Sequence, residues 1–244
     1  MNLMLPLSVF SKLQMYMTLL WIMFLSGCQN TEEKEIVIIS TNDIHGRIEQ
    51  FSKLATFVKR IKEEHPNVIL VDAGDRFTGN PYVDHAKEKG FPIISLMNDL
   101  GYEVGTLGNH EFDFGQKILR ARINDATFPI ICANINSSRG ELDSIPPYHI
   151  IEKDGIKLGF IGFVQTETDQ IPSTNPERLK DITFDHYLDK VEDYKPLKRQ
   201  CDVLIGLTHL GVDKDSILAT QMPELDIIIG GHTHTLLAVS YTHL

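Results

Sequence analysis

Val104-Gly105-Thr106-Leu107-Gly108-Asn109-His110-Glu111-Phe112-Asp113 begins as a short apolar run and breaks at a glycine into Asn-His-Glu. The run 104–107 reads as a buried strand. Asn109 and His110 contribute nothing to a core, so they belong to whatever lies beyond the strand's carboxyl end. Four other apolar runs end in the same way. Residues 36–40 lead into Thr41-Asn42-Asp43-Ile44-His45-Gly46-Arg47, and residues 68–71 into Asp72-Ala73-Gly74-Asp75. Residues 203–207 lead into Thr208-His209-Leu210-Gly211, and 225–229 into Gly230-Gly231-His232-Thr233-His234. Each motif alone is weak, but five in this order, each behind an apolar run, are not surface polarity. Asp43 with His45, and His232 with His234, stand two residues apart. On an extended segment that spacing turns both side chains to one side.

The intervening segments supply the layers. Phe51, Leu54, Val58 and Ile61 repeat at helical spacing through residue 64. Helices are predicted at 93–100, stopped by Gly101, around 118–123 and over 185–197, and a strand at 129–135. Residues 148–152 and 156–164 flank Asp154-Gly155, a strong hairpin signal. Strands alternating with helices predict a layered α/β fold, and the hairpin makes the sheet arrangement mixed. Ligands in such folds sit outside the carboxyl ends of the strands. That is where the polar motifs fall.

Composition narrows the classes. The 244 residues are 42% hydrophobic and 23% charged, and carry a formal net charge of −10. One α/β domain suits that length. An acidic chain without a basic run is not a nucleic-acid binder, because backbone binding needs a cationic patch. Three cysteines cannot make a disulfide framework, and a mean hydropathy of −0.10 excludes a polytopic membrane protein.

The front end reads as an address. Lys12 precedes the apolar stretch 13–25, too short for a bilayer that needs about 20 residues. It ends in Leu25-Ser26-Gly27-Cys28, which resembles the lipobox of bacterial lipoproteins, where the cysteine is lipidated and the chain cut before it. Residues 1–27 are therefore expected to be a lipoprotein signal peptide and 28–35 a polar tether. Acyl chains on Cys28 suffice for stable anchoring, and Gln29 after the cysteine points to the outer membrane. The protein is expected to be exported and lipid-anchored in the cell envelope, facing the periplasm or the surface.

The strand-end motifs resemble the calcineurin-like metallophosphoesterases, and specifically the N-terminal catalytic domain of the 5′-nucleotidase family. Tyr102, then Leu107-Gly108-Asn109-His110-Glu111-Phe112-Asp113, fits that family's second signature. The first fits over 41–48, except that Ser40 stands where His, Glu or Ala is usual. The resemblance covers 36–234 and implies an α-β-β-α layered fold with mixed sheets. It further implies that Asp43, His45, Asp75 and His234 hold one metal, and Asp75, Asn109, His209 and His232 a second, with Asp75 shared. Two divalent ions (Mn, Zn, Fe or Co) would clamp a phosphate ester and activate a bridging water for in-line attack. His110 would stabilise charge on the phosphoryl or leaving oxygen, and Asp113 would fix its tautomer.

The implied activity is hydrolysis of nucleotide phosphate esters, of the 5′-nucleotidase, UDP-sugar hydrolase or cyclic-nucleotide phosphodiesterase type. A thiosulfate-ester hydrolase is a related alternative. From a different class, the chain is a non-catalytic surface lipoprotein whose metal cluster is structural or half of a two-protein complex. Relatives continue past Gly-Gly-His-Thr-His into strands that close the second sheet and then a nucleoside-binding domain. Residues 235–244 do not resemble that continuation and are expected to be a non-native or truncated tail. The closing strands are then missing, and the nucleoside-binding domain is absent or a separate partner protein. Plainer roles fall to the remaining residues. His65, His85, His149 and His186 are expected at the surface or in caps, Cys132 and Cys201 as small buried residues, and Asp72 as structural. Arg76 and Asn80 are within possible reach of substrate.

Overall fold

The computed structural model describes residues 33–237. The expected signal peptide, the expected lipidation site Cys28 and residues 238–244 lie outside the described residues, and the described residues from Glu35 onward group as one compact unit. Val37–Thr41 (β1), Phe51–Glu64 (α1), Val68–Asp72 (β2), Pro81–Asp84 (α2), Phe91–Leu100 (α3), Val104–Thr106 (β3), Gln116–Asp125 (α4) and Ile130–Ile131 (β4) build the first half. Strands β1-β2-β3-β4 lie side by side in that order, all parallel. All five residues of β2 are buried, and 68–71 form the continuous apolar run that a sheet covered on both faces requires. Gly101 ends α3 with φ of 75°, in keeping with its place after the last apolar turn.

The second half runs Ile135–Asn136 (β5), Tyr148–Lys153 (β6), Ile156–Val164 (β7), Thr183–Phe184 (β8), Val191–Tyr194 (α5), Val203–His209 (β9), Val212–Gln221 (α6) and Ile227–Gly230 (β10). Its sheet has the order β10-β9-β7-β6, parallel except that β6 returns antiparallel on β7. Asp154 and Gly155 make that return with φ of 52° and 74°. The sheet is mixed, as the hairpin required.

Period-two alternation sorts the side chains into layers. Ile69 and Val71 of β2 pack with Leu158 and Phe160 of β7 and Ile205 and Leu207 of β9, so the two sheets lie face to face. Leu70 points the other way, into a cluster with Val58 of α1, Ile93 and Met97 of α3 and Leu119 of α4. Ile161, Phe163 and Leu204 pack against Val191 of α5 and Leu218 of α6 on the far side. The layers are α-β-β-α. Among the described residues no helix is long and apolar enough to cross a membrane.

Three local expectations are corrected. The strand expected over 129–135 is two: β4 pairs with β3, and β5 pairs antiparallel with β8. Between them Asn134, fully buried, donates to the Val164 carbonyl and accepts from the Val164 amide, which pulls the chain out of the first sheet. The helix expected over 185–197 is only α5, flanked by 3-10 turns at Tyr187–Lys190 and Lys195–Gln200. Pro196 has no N–H to continue the α ladder. Helix α6 lies where no helix is expected; its pattern is masked by a polar first turn with Asp213 and Asp215.

Asp215 accepts a hydrogen bond from Thr208 Oγ1 at 2.7 Å, joining α6 to the end of β9. Burial pushes its carboxyl up to about 6, against the opposing pull of Thr208 and His209. The folded chain therefore favours the protonated acid and loses stability as pH rises from the ordinary value of 3.8 through about 6. Asp215→Asn is expected to melt roughly 2–6 °C above the parent at pH 8, with the gap closing toward pH 5. Equal melting temperatures at pH 8 would contradict the assignment.

Candidate metal centre

Strands β1, β2 and β3 of one sheet and β9 and β10 of the other deliver their carboxyl ends to one place. Asp43 and His45 follow β1, Asp75 follows β2, Asn109 and His110 follow β3, His209 ends β9, and His232 and His234 follow β10. These eight residues converge. The expectation that alternate residues share one side of an extended segment does not hold, however. Asp43, His45, Asp75, His232 and His234 have φ of 50°, 47°, 56°, 86° and 52°, the left-handed region, where a non-glycine residue costs of order 1–3 kcal/mol. Asp43 and His45 stay together, but His232 and His234 part into different groups.

Asp43, His45 and His234 form one group, Asp75, His209 and His232 another, and His45, Asp75 and His110 a third that links them, each with its ligating atoms within 4.8 Å of one another. His234 Nε2 lies 3.3 Å from Asp43 Oδ1 and 3.3 Å from His45 Nε2. Asp75 Oδ2 lies between the groups, 3.0 Å from His209 Nε2 and 4.0 Å from His45 Nε2. Asn109 Oδ1 is 3.1 Å from His232 Nδ1.

A residue that sequence reading passed over holds Asp75 there. Glu111 is fully buried, and its carboxylate accepts from the backbone amides of Asp75 at 2.8 Å, Arg76 at 2.9 Å and Gly108 at 2.6 Å. It ties the loop after β2 to the loop after β3. The His110 amide then donates to Asp75 Oδ1 at 2.8 Å. Gly108 is required by contact: a Cβ on it would stand 2.2 Å from Asp75 Oδ1. Beneath lies the buried pair Asp72–Arg76, at 2.6 Å and 2.9 Å, with a further bond from Arg76 to the Thr106 carbonyl. Only 1% of Arg76 is exposed, so it is structural and does not reach substrate.

The donor set fits divalent ions. His45 Nδ1 is 3.2 Å from the Thr78 carbonyl, and His209 Nδ1 is 2.7 Å from the Ala73 carbonyl. A carbonyl only accepts, so each ring donates its Nδ1 proton and turns a lone pair at Nε2 inward. His209 Nε2 is buried and makes no hydrogen bond, although Asp75 Oδ2 is 3.0 Å away. Such an atom calls for a cation. Burial alone would lower the His209 pKa, yet Asp75, the Ala73 carbonyl and Asp43 push it up to about 9, so in the metal-free chain the field favours a proton on Nε2, in the place a metal ion would take. His232 moves down, through burial and the neighbouring charge of His209.

His110 stands beside this centre, its ring edge-on to His45 with centroids 5.0 Å apart. Its Nδ1 donates to Asp113 Oδ2 at 2.6 Å, and 37% of the side chain is exposed. The bond to Asp113 raises the His110 pKa despite partial burial. Burial opposes ionisation of Asp113, but bonds from His110, Thr78 and Thr174 outweigh it and hold the carboxylate below its usual range. Thr78 was also missed by sequence reading. Its left-handed backbone, φ 55°, aims its carbonyl at His45 and its hydroxyl at Asp113, 2.9 Å away.

The remaining residues take plainer parts. Asn80 caps α2 by accepting from the Tyr82 amide at 3.0 Å and donates to Glu49 at 3.1 Å. His186 caps a 3-10 turn and His65 contacts Glu35 at 2.7 Å. Cys132 and Cys201 are buried free thiols.

This geometry has counterparts among known proteins. Residues 36–236 match the calcineurin-like phosphoesterase family. Over 233 residues the chain is 32% identical to the snake venom 5′-nucleotidase of Naja atra, covering 83% of this chain and 42% of that protein. It is 32% identical to the trifunctional nucleotide phosphoesterase protein YfkN of Bacillus subtilis, over 82% of this chain and 16% of the relative. The solved 5′-nucleotidase precursor of Thermus thermophilus superposes with a TM-score of 0.75 at 28% identity, over 85% of this chain and 43% of that one. The chain thus spans less than half the length of these relatives.

Proposed function

The chain belongs to the calcineurin-like phosphoesterase family, and on that premise we propose that it hydrolyses phosphate esters of nucleotides, using two divalent ions. Asp43, His45, Asp75 and His234 would hold one ion, and Asp75, Asn109, His209 and His232 the other. The observation that carries the reading is the pinning of His45 and His209 by backbone carbonyls, with Asp75 Oδ2 between their inward nitrogens. When bound, such ions polarise a phosphoryl group and activate water.

The chain's own side chains supply the rest. Asp113 keeps the proton on His110 Nδ1, and a ring nitrogen of His110 lies within 4.8 Å of the ligating atoms of His45 and Asp75. As the imidazolium, His110 stabilises negative charge on the phosphoryl oxygen or gives a proton to the leaving oxygen. The bond to Asp113 favours that charged form. The alternative, a purely structural metal cluster, has no use for a partly exposed His–Asp pair outside the seven ligands assigned above.

The names of the relatives support nucleotides as the substrate class. Export and lipid anchoring at Cys28 rest on residues 1–28 alone. An enzyme so placed would strip phosphate from nucleotides whose charge bars them from membranes, and a separate nucleoside-binding protein could complete its substrate site. The test is a substrate panel with the chain loaded with Mn²⁺: nucleoside 5′-monophosphates, UDP-sugars, cyclic nucleotides and a thiosulfate ester. Hydrolysis of at least one nucleotide, abolished by EDTA and restored by Mn²⁺, Zn²⁺ or Co²⁺, is the expected result. Turnover of the thiosulfate ester alone, or of nothing with metal bound, would overturn it.

A further inference from the structure

We propose that Ser173 and Thr174 form a positioning element that sets both Asn109 and the His110–Asp113 pair, an inference that rests on the roles given to those residues above. The segment after β7 entered none of the five strand-end motifs. It nevertheless places two consecutive residues on the 109–113 segment: Ser173 is 64 residues from Asn109, and Thr174 is 61 from Asp113. The Ser173 carbonyl accepts from Asn109 Nδ2 at 3.0 Å. Thr174 Oγ1 donates to Asp113 Oδ1 at 2.9 Å.

Each contact decides something its target cannot decide alone. A carboxamide presents either its oxygen or its nitrogen to a site. With Nδ2 committed to a carbonyl, Oδ1 is the atom left on the side of His232 Nδ1, 3.1 Å away. A carboxylate turns about its Cβ–Cγ bond. Asp113 Oδ2 takes His110 Nδ1 at 2.6 Å and Thr78 Oγ1 at 2.9 Å, and the Thr174 bond on Oδ1 fixes the opposite corner. The plane of the carboxylate is then set, and with it the direction in which His110 is held.

The loop has its own supports, so these two bonds are not what holds it. Glu167 N donates to the Ile171 carbonyl at 2.8 Å, and Ile171 packs against the first core. Pro172 is buried, and Thr174 N donates to its carbonyl at 2.7 Å. Asn175 accepts from Glu177 N at 3.0 Å and caps the turn that follows. Thr174 itself is half-buried at the rim, where valine fits in its place and removes only the donor.

The test compares Thr174→Val with Thr174→Ser in the full chain. With Mn²⁺ and the best nucleotide of the panel, the valine variant is expected to lose about tenfold in kcat, in the 10–100-fold range for a lost partner of a site residue. KM should stay within about twofold of the parent, and serine should restore kcat. The second reading uses metal-free protein: the His110 Nδ1 proton, observed by ¹H–¹⁵N NMR, should be strongly deshielded in the parent and the serine variant and move upfield in the valine variant. An unchanged kcat or an unmoved proton resonance in Thr174→Val, or a serine variant no better than valine, would overturn the proposal. If the parent hydrolyses no phosphate ester, the functional reading fails, and the imidazole resonance alone then decides the positioning claim.

Discussion

His110→Ala is expected to lower kcat by roughly 10²–10⁴, the range for a positioned acid–base group, while bound metal is unchanged. The separation follows from the geometry. His110 is directed by Asp113 through Nδ1, is partly open to solvent, and hydrogen-bonds Asp75 through its backbone amide. Alanine keeps that amide, so Asp75 keeps its 2.8 Å bond and the Glu111 bonds beneath it stay intact. Steady-state kinetics together with elemental analysis of the same preparation read both halves. A variant that loses metal would make His110 a ligand, and one with full activity would remove it from the chemistry.

Asp75→Ala is expected to act on the other half, removing metal and activity together. Its Oδ2 lies 3.0 Å from His209 Nε2 and 4.0 Å from His45 Nε2, between the two inward-facing histidine nitrogens. Without it the two groups share no ligand, and His209 and His45 face each other across a site with less negative charge. Metal affinity should fall by more than the roughly 10–100-fold typical of losing a ligand's hydrogen-bonding partner. Folding should survive, because Glu111 bonds the Asp75 amide and not its side chain. A melting curve separates the two effects.

The layers and the strand-end residues were legible because both follow local rules. A buried parallel strand is a short apolar run, and the polar residue just beyond it has nowhere to go but the site. Asp43, Asp75, Asn109, His209 and His232 could be picked this way. The backbone that aims them could not: five of the site residues adopt positive φ, which the alternation of strand residues does not foretell. The supports were hidden for a different reason. Glu111 is a charged residue inside a motif, and only the fold reveals that three amides of two loops meet its carboxylate. Thr174 acts across 61 residues of chain, a separation at which spacing carries no signal. The misjudged segments, 129–135 and 185–197, fail where Asn134 and Pro196 override an apolar pattern.

Metal content per chain tests the central claim most directly. The chain and its Asp75→Ala variant would be stripped with chelator, reconstituted with excess Mn²⁺, freed of unbound ion and analysed for metal against protein concentration. Two ions per chain in the parent, one or none in the variant, and phosphate release only from the doubly loaded protein are the expected results. At most one ion in the parent, with Asp75→Ala leaving that number unchanged, would contradict the binuclear centre.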